Sequence, residues 1–182
     1  EDLPLSEKIP TSTDLFNFLS PFIFDETVDS LRISLDMSED VIAHSANNYY
    51  KGNISQQEVE EFYALKKASQ IENPPSFGLN SQLEKRENIL VENTWKLGGM
   101  YSAAIEKIIF YLEKAKSVAE NEQQKTYISL LIDYYTTGDL KTFDAYSIAW
   151  LQDTDSQIDF INGFIETYGD ALGIKASWEA LV

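Results

Sequence analysis

Ile158-Asp159-Phe160-Ile161-Asn162-Gly163-Phe164-Ile165-Glu166-Thr167-Tyr168-Gly169-Asp170 decides the fold class, because the apolar rhythm of the chain changes here. Ile158, Phe160 and Phe164 are broken by polar residues, which reads as a strand running through Tyr168. Side chains alternate across a strand, so Glu166 and Tyr168, two residues apart, are expected on one face. A carboxylate there suits a cation such as an amino terminus. A phenol can donate a hydrogen bond to an oxygen that is gaining negative charge. A solvated sheet face without a ligand fits the same spacing.

Upstream of this stretch the period is helical. Tyr101, Ala104, Ile105, Ile108, Leu112 and Ala115 recur at three- and four-residue steps and form an apolar stripe after Gly98-Gly99. A second helix is predicted from about Glu122 to Tyr135, with Tyr127, Leu130, Leu131 and Tyr134 inward and Gly138 as its stop. Asp139 then caps a third, with Leu140, Phe143, Ser147, Trp150 and Leu151 on one side. Short links between them imply packed antiparallel neighbours. Downstream, Gly169-Asp170-Ala171-Leu172-Gly173 is a turn, and Ser177 to Val182 a returning strand. The fold class is therefore α+β, mainly α: a helical bundle-like core with a short antiparallel sheet near the carboxyl end.

The amino-terminal half is less regular. Residues 1–24 read as an extended lead and a short helix ending before Pro21, with Phe22, Ile23 and Phe24 as core contacts. Ser38 and Glu39-Asp40 predict a helix reaching about Asn48. Tyr49-Tyr50-Lys51-Gly52-Asn53 is a turn whose tyrosines pack on the core edge or line a cleft. Ser55-Gln56-Gln57-Glu58 is a capping box that starts a helix carrying Val59, Phe62, Tyr63 and Leu65. Residues 72–98 read as loop, with Val91, Trp95 and Leu97 as a short extended piece. The acidic start Glu1-Asp2 reads as a cut inside a longer protein or a processed terminus. The final strands are expected to need partners from outside this chain.

Composition excludes several functions. The net charge of -16 repels phosphate backbones, so nucleic acid is not an expected partner. The absence of cysteine rules out disulfides and thiolate metal sites, and His44 is the sole histidine, so the common zinc sites cannot be built from this chain alone. No apolar run approaches a membrane span, so no membrane is expected. Compartment is not readable from the sequence.

Several segments together resemble the dipeptidyl peptidase III family of zinc metallopeptidases in its bacterial form. They are Asn48 to Asn53, the helix Ala104 through Asn121, Gly138 to Asp144, and above all Gly163 to Asp170, supported by Phe77 to Ser81 and Trp95 to Tyr101. The resemblance implies a two-lobed enzyme that removes dipeptides from peptide amino termini. One lobe holds zinc on a His-Glu-x-x-x-His helix, and the other contributes a small β-barrel and helices that grip the peptide. Residues 1–182 are similar to a single-domain piece of the second lobe, with an incomplete barrel. The implied partners are short peptides and the zinc-binding lobe of the same polypeptide, and the piece alone is expected to be inactive.

By the same resemblance, Glu166 binds the substrate's amino terminus and Tyr168 hydrogen-bonds the scissile carbonyl as the catalytic residue of this lobe. Tyr50 and Asn53 edge the pocket for the first substrate residues, and Glu179 stands near the same cleft. Ala171 departs from the family's proline after the aspartate. Two other readings use the same residues. One is a stand-alone acidic helical interaction module without catalysis; the other is a carboxylate-pair hydrolase.

Overall fold

The structure is a computed structural model that describes residues 9–25, 28, 32–46, 48–69 and 72–182. Its elements in chain order are α1 (Ser12–Phe24), β1 (Tyr50–Lys51), α2 (Gln56–Ala68), β2 (Ser81–Arg86) and β3 (Ile89–Thr94). Then follow α3 (Ser102–Ser117), α4 (Glu122–Thr137), α5 (Leu140–Leu151), β4 (Ile161–Glu166) and β5 (Ser177–Leu181). The α+β, mainly α reading holds. The strands lie in two separate sheets, β1-β2-β3 and β4-β5, which do not close a barrel among the described residues.

The helical core is built from α3, α4 and α5. Tyr127, Leu131 and Tyr135 of α4 are fully buried, with Ile105 and Leu112 of α3 and Phe143, Tyr146 and Ala149 of α5 around them. Leu151, expected on the inner side of α5, is exposed; Tyr146 and Ala149 take the buried stripe instead. Gly138 ends α4 in the left-handed region (φ 74°), and its N–H bonds the Tyr134 carbonyl at 2.7 Å. A side chain there would meet Thr94 Cγ2 at 2.5 Å, so glycine serves both the backbone and the packing.

The β4-β5 ribbon lies against this core. A Cβ on Gly163 would stand 2.9 Å from the Phe143 ring, so the strand comes this close only because residue 163 has no side chain. Phe164, 6% exposed, packs on Trp95 with ring centroids 4.9 Å apart. The two strands pair antiparallel from Ile161↔Leu181 to Glu166↔Ser177, with an irregularity between Phe164 and Glu166. The strand begins at Ile161, so Ile158 and Phe160 precede it, and it ends at Glu166.

A second apolar cluster joins Val41, Ile42, Ile54, Val59, Tyr63 and Leu83. It lies among α2, β2 and the segment before β1. The expected helix from Ser38 is a series of turns instead. Asp40 explains it: its carboxylate accepts from the amides of Ile42, Ala43 and Gln56, which pins a turn where a helix would have bonded to itself. The predicted loop at 72–98 contains the hairpin β2-β3, turned by Glu87 (φ 49°) and Asn88 (φ 66°). Two consecutive positive φ values are the two-residue turn that matches strand twist. The hairpin escapes pattern reading because Ser81, Gln82 and Glu84 are buried polar residues, so no apolar alternation marks β2.

Helix α1 also departs from expectation. It runs through Pro21 to Phe24, and the Asp25 N–H closes it on the Pro21 carbonyl at 3.0 Å. Proline lacks a donor but keeps its acceptor, so one more turn can form. Phe22, Ile23 and Phe24, expected in the core, are more than half exposed. The extended lead at residues 1–8 lies outside the described residues. No helix among the described residues is long and apolar enough to cross a membrane.

Candidate functional site

The β4-β5 ribbon and the loop between its strands hold the residues singled out by sequence. Glu166 is the last residue of β4, and Tyr168 is two residues on, in the turn that follows. Glu166 is half-buried and Tyr168 is 70% exposed, so neither is sealed in the core. Strand alternation ends at Glu166, and the placement of Tyr168 is set by the turn instead.

Glu179 lies on β5 and is half-buried. Its carboxyl is raised above the usual range, first by a hydrogen bond with Glu166, then by partial burial and by the Glu166 charge. The two carboxyls are therefore neighbours across the ribbon. Neighbouring negative charges repel, and a cation placed between them removes the repulsion. This pairing was not read from sequence. The turn lengths hide it, since the two stand thirteen positions apart and the irregular β4-β5 pairing decides which side chains meet.

Tyr50 is not at this ribbon's surface. Its hydroxyl donates to the Asp170 carboxylate at 2.9 Å, and burial, then the Asp170 charge, pushes it well above the ordinary phenol range. Asn53 is exposed on the far side of the Gly52 turn, where its carbonyl accepts from Lys85 Nζ at 3.3 Å. The structure thus sets Glu166 and Glu179 on paired strands, leaves Tyr168 two residues beyond Glu166 in the turn, and links Tyr50 to that turn through Asp170. Asn53 stands apart, with α2 and β2.

The loop between β4 and β5 is anchored from below. Asp170, 4% exposed, accepts from the amides of Ile174 and Lys175 at 2.8 Å each. Lys175 is fully buried, and its ammonium donates to the hydroxyls of Tyr63 and Ser81, with Glu92 at 3.7 Å. Burial lowers its pKa to about 8, against the pull of the Glu92 and Asp170 charges. Sequence reasoning passed over both residues because a lone Asp and a lone Lys in a turn carry no spacing signal.

A cavity of about 650 Å³ opens beside the ribbon, lined by Tyr49, Trp95, Tyr101, Phe164 and Trp178 among others. Its walls are largely aromatic, and its lining includes Gly169 but neither Glu166 nor Tyr168. No group of three or more His, Cys, Asp or Glu among the described residues could hold a metal ion. His44 stands near the surface with Nδ1 3.0 Å from Glu39. These residues do not fit a zinc site.

The sequence profile of peptidase family M49 matches residues 80–182, which contain β2 to β5 and, of the residues that anchor the loop, Ser81, Glu92, Asp170 and Lys175. The chain belongs to peptidase family M49. Among curated relatives, the mouse protein named dipeptidyl peptidase 3 is 26% identical over 165 residues, 88% of this chain and 22% of that protein. The human dipeptidyl peptidase 3 is 32% identical over 84 residues, 46% of this chain and 11% of that protein. The solved structure of DPP III from Caldithrix abyssi is 18% identical, with a TM-score of 0.58, covering 93% of this chain and 31% of that one. That likeness establishes a shared fold. The chain spans about a fifth of the length of the mouse relative it matches.

Proposed function

We propose that this chain is part of the peptide-gripping portion of a zinc-dependent dipeptidyl peptidase. The observation that carries the reading is the placement of Glu166 at the end of β4 and of Glu179 on its paired strand β5, both half-buried, with the exposed Tyr168 two residues beyond Glu166. An ammonium between two carboxylates is the way to fix a peptide's free amino terminus at a set distance from the reacting bond. Tyr168, on the same connection, then donates its O–H to the carbonyl oxygen that gains charge. Membership of M49 and the similarity to proteins named dipeptidyl peptidase 3 support the same assignment. The metal of such an enzyme belongs to residues outside this chain, and its identity as zinc follows from the family resemblance. The chain's own residues bind, orient and donate a hydrogen bond.

The test uses the polypeptide encoded by the longest open reading frame containing these residues, assayed for dipeptide release from a free-amino tetrapeptide and from its N-acetylated form. The free peptide is cleaved and the acetylated one is not. Glu166→Gln lowers kcat/KM about a hundredfold, because it leaves an ammonium short of its charge partner. Tyr168→Phe lowers kcat about a hundredfold, the scale of one lost oxyanion donor.

The pH dependence has a definite sign. Glu179 holds its proton above the usual carboxylate range, and an ammonium can displace that proton. Binding therefore weakens as pH falls through the raised pKa, and Glu179→Gln removes the acid limb. Equal cleavage of free and acetylated peptides would refute the assignment.

The interaction-module reading draws on α1, whose Phe16, Phe18, Phe22, Ile23 and Phe24 are all more than half exposed. Dipeptide release by the long polypeptide decides against it, and no release together with a discrete protein partner for α1 decides for it.

A further inference from the structure

The loop that carries Tyr168 has a rigid underside. Asp170 stands two residues beyond Tyr168 and is nearly sealed, and its carboxylate accepts four hydrogen bonds. The amides of Ile174 and Lys175 donate to one oxygen at 2.8 Å each, and the Tyr50 hydroxyl donates to the same oxygen at 2.9 Å. The Leu172 amide reaches the other oxygen at 3.4 Å. Three of these bonds close the loop on itself. The fourth, from Tyr50, is different in kind, because it ties the loop to β1, a strand 120 residues away in sequence that is paired in parallel with β2.

We infer that Tyr50 and Asp170 form a latch that sets the aim of Tyr168, so that both are positioning residues for the reaction proposed above. This rests on the reading of Tyr168 as an oxyanion donor. Tyr50 was expected to edge the pocket for the first substrate residues. Its hydroxyl is committed to Asp170, which gives it a route to the site that needs no contact with substrate.

The geometry explains why a latch is needed. Tyr168 is exposed and stands off the end of β4, so the ladder that fixes Glu166 against Ser177 does not fix it. The turn continues through Asp170, whose amide bonds the Thr167 carbonyl at 3.0 Å. Any rotation of the turn therefore moves Tyr168 and Asp170 together. Asp170 is held by Tyr50 from β1, and the far end of the loop is held by the buried Lys175 and by the Ala176 amide on the Leu79 carbonyl at 3.1 Å. Burial and the Asp170 charge keep the Tyr50 hydroxyl protonated, hence a permanent donor. A displacement of about 1 Å in a positioned group costs on the order of a hundredfold in rate, so loss of one tether is large enough to read kinetically.

The experiment is a double-mutant cycle in the long polypeptide, with Tyr50→Phe, Tyr168→Phe and the double variant, each assayed for kcat and KM on the free-amino tetrapeptide. Tyr50→Phe is expected to lower kcat about tenfold with KM nearly unchanged, since the amino terminus stays with Glu166 and Glu179. In the Tyr168→Phe background the same change is expected to have no further effect, because the donor whose aim it sets has gone. A general loss of folded protein would multiply with Tyr168→Phe instead.

If Tyr50→Phe leaves kcat intact, or the two effects multiply, the latch is overturned while the peptide-gripping reading stands. If Tyr168→Phe itself leaves kcat intact, the reading of Tyr168 falls and the latch falls with it. A melting curve accompanies each variant. Should Tyr50→Phe not fold, Asp170→Asn takes its place in the cycle. Failure of both to fold would make the pair a structural requirement and overturn the latch.

Discussion

Around Tyr134 the chain buries rings against rings; around Lys175 it buries an ammonium, a carboxylate and hydroxyls. In the first region Tyr134 and Phe143 have centroids 4.6 Å apart, and Phe143 stacks on Tyr146 at 5.5 Å. In the second, Glu92 accepts from Tyr63 at 2.7 Å, from Ser81 at 2.6 Å and from Lys66, while Lys175 bonds Tyr63 and Ser81. Dispersion and hydrophobic burial are non-directional, so the aromatic region can hold helices together without fixing a loop to within a few tenths of an ångström. Hydrogen bonds with charged partners are directional, and they cost much when a partner is lost. The aromatic region therefore supplies stability, and the polar region supplies position under the loop that carries Tyr168.

The comparison breaks most visibly at Phe143. Phe143→Ala leaves a void among Tyr134, Tyr146 and the bare backbone of Gly163. The expected loss is about 4 kcal/mol, the usual scale for a buried phenylalanine. Chemical denaturation of the chain measures it. A loss below about 1 kcal/mol, the range of a surface change, would remove the aromatic region from its assigned role.

Glu92→Gln tests the other side. The carboxyl of Glu92 is pushed up by burial, but hydrogen bonds from Lys66, Ser81 and Tyr63 and the charge of Lys175 outweigh this and hold it below its ordinary value. A lowered folded pKa stabilises the fold above the unfolded value, and that stability is lost as pH falls through the folded pKa. The substitution is expected to cost about 2 kcal/mol at neutral pH, as a buried cation loses a charged acceptor. It should also flatten the fall in stability below pH 4.5, the ordinary glutamate value. An unchanged acid limb would show that the network is not the group titrating there.

These two regions were unequally legible in the sequence. The helical region announces itself, because Ile105, Ile108 and Leu112 repeat at helical steps, and Gly138 and Asp139 punctuate as backbone chemistry requires. The polar region gives no periodic signal. Ser81, Gln82 and Glu84 are buried in β2, so the residues that define the strand read as loop. Lys175 is legible only once Tyr63, Ser81 and Glu92 are brought together from three elements, and sequence separation hides that entirely. The candidate site lies between these cases. Glu166 and Tyr168 were found by spacing and resemblance, whereas the contact of Glu166 with Glu179 depends on the irregular pairing after Phe164. Composition placed Phe22, Ile23 and Phe24 inside, but apolar character gives no information on whether a covering surface exists.

The smallest expected effect sharpens the boundary of the polar region. Ser55 caps α2 by accepting from the Glu58 amide at 3.3 Å, and Glu58 returns a bond to the Ser55 amide at 3.0 Å. Glu58 also takes the ammonium of Lys85 at 2.6 Å, so the cap is tied to β2. Ser55→Ala removes one acceptor and should cost about 1 kcal/mol, the usual price of an N-cap. If α2 belongs to the device that holds Tyr63 under Lys175, the loss should appear with Glu92→Gln as a non-additive pair; if α2 is only a support, the two losses add to within about 0.5 kcal/mol. Helix α2 carries Tyr63 two turns beyond its cap, and one lost cap bond frays the first turn alone. The expected result is therefore additivity, which places the edge of the positioning network at Tyr63 and leaves the start of α2 outside it.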